Sequence, residues 1–152
     1  FTLIELLVVV AIIGILATVV LASLGSARSR AKDVKRLSTT KEIQKGLELY
    51  NLDNGSYPVV SGWASNCSDA VAAQVAEWTS LMGDLDEYIS EIGDDDIWPL
   101  CISYRSSTTA SCDLVTDPEY ILVFATQEAT FDLDIYSTGE GVSKERYCIY
   151  PA

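Results

Sequence analysis

Histidine is absent from the 152 residues. Ser–His and Cys–His nucleophile pairs and histidine metal sites are thereby excluded. No recognisable Gly-rich phosphate loop is present either. Proline is scarce at four residues, and none precedes Pro58, so nothing of that kind interrupts a helix in the first third of the chain. Basic residues almost vanish after residue 45: Arg105, Lys144 and Arg146 stand against 19 carboxylates, a formal charge of −16. Nucleic acid is excluded as the main partner of so acidic a region, because phosphate binding needs clustered cations. Asp94, Asp95 and Asp96 form the densest carboxylate run. Three acids between a helix and a strand read as a solvated turn, with a calcium site as the minor alternative. No catalytic residue, cofactor or metal is expected, and the chain is not expected to be an enzyme.

What the chain has is concentrated at its start. Residues 6–22 carry no charge, and residues 1–25 are apolar on every side rather than along one stripe. About 20 such residues, at roughly 1.5 Å of rise each, cross the hydrocarbon core of a bilayer. A secretory signal would need a basic start, and nothing basic precedes the run. Residues 1–45 nevertheless hold seven Lys/Arg against Glu5, Asp33 and Glu42, a formal charge of +4. Those cations follow the apolar run, so the positive-inside rule alone would place the remainder in the cytosol. The four cysteines, Cys67, Cys101, Cys112 and Cys148, argue the reverse. An even count without C-x-x-C spacing reads as two disulfides in an oxidising compartment, free buried thiols being the alternative. A basic leader removed ahead of Phe1 would reconcile the two. Glu5 is the other anomaly: a lone carboxylate at the edge of an apolar segment, with no partner expected there, wants a counter-charge.

The stretch "FTLIELLVVVAIIGILA" resembles the mature N-terminus of type IV pilins and pseudopilins, strongly over about residues 1–30 and more weakly to about residue 58. "LELYNLDNGSYP" similarly resembles the end of the long helix in the major pseudopilin of type II secretion and in many pilins. The resemblance implies that Phe1 is a leader-processed, N-methylated end and that Glu5 pairs with the Phe1 amine of a neighbouring copy. It also implies a cytoplasmic-membrane stage in contact with lipid, a prepilin peptidase and a pilus assembly machinery, and then an extracellular filament of many copies. Many members carry a Pro near position 22, where this chain has Ala22. Gly14, followed by β-branched Thr18, Val19 and Val20, is the candidate site for helix melting within residues 14–22 instead.

The expected fold is α+β on the type IV pilin plan. A long N-terminal helix, half protruding, packs on a three- or four-stranded antiparallel sheet, with one or two short helices between. Three segments are expected: an apolar membrane or filament-core helix over 1–25, an amphipathic continuation over 26–53, and a disulfide-containing head over 54–152. A helix over residues 1–53 would be about 80 Å long and must project. Ile43, Leu47 and Tyr50 form a head-facing stripe, with Leu37, Leu49 and Leu52 on another side. Asn54-Gly55 and Pro58 stop the helix.

In the head, residues 68–93 read as one or two helices with an apolar stripe of Val71, Val75, Trp78 and Met82. Asp84 and Glu87 form a capping box at the break, and Gly93 ends the unit. Strands are expected over 98–105, 119–127, 131–137 and 146–150. The preferred disulfides are Cys101–Cys112 and Cys67–Cys148, with Cys112–Cys148 as the competing pair. The leading function is a pilin. The alternatives are a type II secretion pseudopilin or minor pilin, and a monomeric anchored binding domain. A basic patch over residues 28–36 is expected to meet acidic heads of neighbouring copies.

Overall fold

A computed structural model describes residues 2–90, 92, 100–106, 119–127, 129–131 and 146–151, apart from the side chains of Ala22 and Arg146. Its first element is a 52-residue helix, α1 (Leu3–Asn54). The helix starts at Thr2, whose hydroxyl accepts from the Glu5 N–H (3.4 Å) while the Glu5 carboxylate accepts from the Thr2 N–H (2.7 Å). This reciprocal pair is a capping box, with the T-x-x-E spacing it requires. Glu5 therefore has a partner inside its own segment, contrary to expectation. Helical backbone groups bond within the segment, so the helix runs unbroken through Gly14 and residues 14–22. It ends where Gly55 adopts φ 74° and returns its N–H to the Asn51 carbonyl at 2.8 Å. That left-handed cap favours glycine.

Beyond α1 come β1 (Ala64–Ser65), α2 (Ala72–Asp84), β2 (Ile102–Ser106), β3 (Tyr120–Ala125) and β4 (Arg146–Ile149). The strands form one antiparallel sheet in the order β1-β2-β3-β4. Side chains alternate across it as the pleat demands. Ala64, Ile102, Tyr104, Tyr120, Leu122, Phe124, Tyr147 and Ile149 join Ile43 and Leu47 of α1 in the main core. On the other face Ile121, Val123 and Cys148 form a smaller buried cluster bordered by Trp63 and Tyr150. Every residue of β3 is buried, so both faces of the central strand are covered.

Several expectations change. The strand β1 falls in a segment read as loop: two residues are too short for a periodic signal, and they pair only because β2 offers an edge. The helical stripe in α2 is Trp78 and Leu81, continued by Leu85, whereas Val71 and Val75 are exposed. No second helix starts at Asp84, which is the last residue of α2; residues 85–88 are turns. Leu37 packs against the main core rather than facing away with Leu49 and Leu52. The strand expected over 131–137 falls, after Phe131, outside the described residues, as do Gly93 and the Asp94, Asp95 and Asp96 run.

The disulfide pairing also changes. Cys67 bonds to Cys101, with Cα atoms 5.1 Å apart, which displaces both preferred pairs. The reason is register. Ala64 pairs with Tyr104 and Ser65 with Ser103, so continuing the ladder sets Cys67 opposite Cys101. Asn66, between Ser65 and Cys67, donates its N–H to the Ile102 carbonyl at 3.2 Å, which makes Cys67 and Cys101 a non-hydrogen-bonded cross-strand pair. Cys148 is disulfide-bonded as well. The competing Cys112–Cys148 pair involves Cys112, which lies outside the described residues.

Candidate assembly surface

Two very different halves of α1 meet at about residue 25. From Leu3 to Leu24 the large apolar side chains are exposed, and an 18-residue stretch of the helix has none of its residues buried in the fold. By length and composition this helix can cross a membrane. So long an exposed apolar surface needs a cover of lipid or protein. Glu5 and Thr2 sit at its tip, and Phe1 lies outside the described residues. One carboxylate oxygen of Glu5 is used by the Thr2 N–H. Gly14 lies midway, with open space where a Cβ would stand.

The second half is docked by charge as well as by apolar packing. Asp33, Arg36, Thr40, Ile43 and Leu47 are all buried, at spacings of three and four that keep them on one helix face. Arg36 donates to Asp33 at 3.0 Å, and both side chains are withdrawn from water. The same carboxylate accepts the backbone N–H groups of Gln127 and Ala129 at 3.0 Å each, just past the end of β3. A buried carboxylate is tolerated because it is paired and multiply hydrogen-bonded. Arg36 is therefore not part of a surface basic patch, while Arg28, Arg30, Lys32 and Lys35 are exposed. The sequence held a signal for this latch. Extending the Ile43 and Leu47 stripe backwards by helical steps reaches Thr40, Arg36 and Asp33.

A second lock holds the helix exit. Glu48 accepts the hydroxyl of Tyr57 at 2.9 Å and that of Tyr120 at 3.0 Å, and the two rings meet edge to face at 4.6 Å. Burial first, then the Glu48 carboxylate, push the Tyr57 hydroxyl up to about 12. Burial likewise raises Tyr104 and Tyr120. Tyr104 donates to the Pro58 carbonyl at 2.6 Å, so "LELYNLDNGSYP" is folded back on the sheet by two of its own residues. Among the described residues no group of three or more His, Cys, Asp or Glu is placed to hold a metal ion.

The chain is 49% identical over 57 residues to the type IV wide pilus major component PilA4 of Thermus thermophilus, a stretch covering 38% of this chain and 44% of that protein. It is 45% identical over 58 residues to the type II secretion system core protein G of Pseudomonas aeruginosa, and 40% over 58 residues to that of Aeromonas hydrophila. Each of these stretches covers 38% of this chain and 41% of the relative. The chain thus spans less than half the length of the relatives it matches, a stretch comparable to the 52 residues of α1 with its exit turn. No family model matches the chain, and no solved structure matches it.

Proposed function

We propose that this chain, a member of the type IV pilin and pseudopilin family, is a structural subunit that polymerises into an extracellular type IV pilus. The observation that carries the reading is the bare apolar half of α1, projecting from a head that buries one face of the other half. Residues 1–25 serve first as a membrane anchor and then as filament core, residues 26–53 dock the head, and residues 54–152 are the head that coats the outside. On extraction, lipid contacts are exchanged for contacts with neighbouring apolar helices. Glu5 keeps its bond to Thr2 and offers its remaining lone pairs to the methylated Phe1 amine of a neighbour, which sets the axial register. Gly14 is the site where the helix loosens in the filament.

A pseudopilin of type II secretion is the second reading, favoured by the identity to core protein G of several organisms. Electron microscopy of material sheared from producing cells, with mass spectrometry of the filaments, separates the readings. Long filaments made mainly of this chain, ending in N-methylated Phe1, are expected. Chain retained in the membrane beside filaments of another protein would sink the major-pilin reading. Glu5→Ala should abolish polymerisation while leaving the head folded.

A further inference from the structure

α1 has a second stripe. Val34, Ser38, Lys41, Lys45, Leu49 and Leu52 recur at steps of four, three, four, four and three, and every one is exposed. Helical geometry places this stripe opposite the buried Asp33, Arg36, Thr40, Ile43 and Leu47. Val34 is 56% exposed, Leu49 37% and Leu52 79%. The face therefore has apolar ends and a cationic centre, with the two lysines about 6 Å apart along the axis. Neither lysine has an ion-pair partner among the described residues.

The same molecule exposes a complementary element. Asp84, Asp86 and Glu87, at and just past the end of α2, are exposed. The Tyr88 hydroxyl donates to Asp53 at 2.8 Å, which ties that turn to the last turn of α1. Charge is thus ordered along the stem: apolar to residue 24, cationic at residues 28–45, anionic beside residue 53. A copy displaced along the stem by about 12–18 Å brings its acidic turn level with Lys41 and Lys45 of the next, at 1.5 Å per residue from Lys45 or Lys41 to Asp53. We propose that the outward stripe of α1 is a docking face for a second copy of this chain. Lys41 and Lys45 receive the neighbour's Asp84, Asp86 and Glu87, and Val34, Leu49 and Leu52 supply the apolar margins. Charge complementarity fixes which copy and which offset the face accepts. The assignment rests on the filament reading and adds to it a second contact, between the stem of one copy and the head of the next, that is independent of Glu5.

The test uses the full chain in sheared filaments, assembled from a mixture of isotopically light and heavy copies and treated with a zero-length carboxyl–amine coupling reagent. Mixed light–heavy peptides joining Lys41 or Lys45 to the segment 84–87 are expected. Lys41→Glu with Lys45→Glu should lower filament yield at least roughly threefold, and adding Asp86→Lys with Glu87→Lys should restore yield together with crosslinks between positions 41 or 45 and positions 86 or 87. Lys41→Gln with Lys45→Gln, a milder change at the same exposed positions, should give an intermediate loss. Filaments that form normally in the reversed variants, or that give only same-copy crosslinks, overturn the docking face and leave the filament reading intact. Failure of the unaltered chain to form filaments overturns both.

Discussion

Asp33→Ala is the sharpest test of how the stem is held. The substitution removes the acceptor of two backbone N–H groups, on Gln127 and Ala129, and takes the Asp33 carboxylate away from the Arg36 guanidinium, which is only 2% exposed. Breaking a buried ion pair from one side costs about 3–5 kcal/mol, because the surviving charge stays desolvated. Buried donors left without an acceptor cost about 1–3 kcal/mol each, part of which is already counted in that range. A loss of about 3–5 kcal/mol is expected, or a fall in Tm of roughly 6–20 °C for a domain of this size. Urea unfolding of the detergent-solubilised chain, followed by the fluorescence of its three tryptophans, reads it. Replacing both Asp33 and Arg36 by Leu should cost less than Asp33→Ala alone, since neither buried charge then has to be desolvated. A loss below about 1 kcal/mol for Asp33→Ala, or additive effects in the double variant, would refute the latch.

Three further outcomes follow from the geometry. Tyr57, Tyr104 and Tyr120 ionise late in the folded state, because burial disfavours the phenolate in all three and Glu48 adds to it at Tyr57 and Tyr120. A raised acid pKa favours the protonated form on folding, so their contribution is intact below about 10 and is lost as pH rises through about 12 and beyond. Alkaline unfolding followed by tyrosinate absorbance checks this, and Glu48→Gln should bring Tyr57 down; an unchanged titration would argue against the Glu48 bridge. Peptide mapping without reduction should yield Cys67 joined to Cys101, and replacing both by Ala should cost about 3–4 kcal/mol for a separation of 34 residues in the chain-entropy treatment. Recovery of a Cys101–Cys112 peptide would contradict the register. Gly55→Ala forces a side chain into φ 74° and should lower stability by about 1–2 kcal/mol, measured by thermal melting; no change would mean that the helix exit relaxes.

The pattern of residues specified the helix well. An unbroken apolar run, no proline before Pro58 and a glycine at the stop are local properties, and α1 needs nothing distant to form. The same holds for Ile43 and Leu47, whose periodicity marked the buried face correctly. The T-x-x-E capping box at Thr2 was legible too, but reading Glu5 against its apolar neighbours hid it. The expected strands over 98–105, 119–127 and 146–150 correspond to β2, β3 and β4, because β-branched and aromatic runs bounded by turns are again local signals.

Tertiary structure decided whatever depends on which distant segments become neighbours. Asp33 and Arg36 look like two members of a surface charge cluster until a chain segment 94 residues away brings its N–H groups to the carboxylate. Cys67 has three possible partners by count, and only the β1–β2 register sets it opposite Cys101. Two-residue β1 carries no periodic signal and exists because β2 presents an open edge. The sequence by itself thus determined a projecting helix with an apolar half and a sheet to dock the other half. The pairing of buried charges and of sulfurs was decided by the fold, because those energies depend on approach within a few ångströms, which spacing along a chain does not fix.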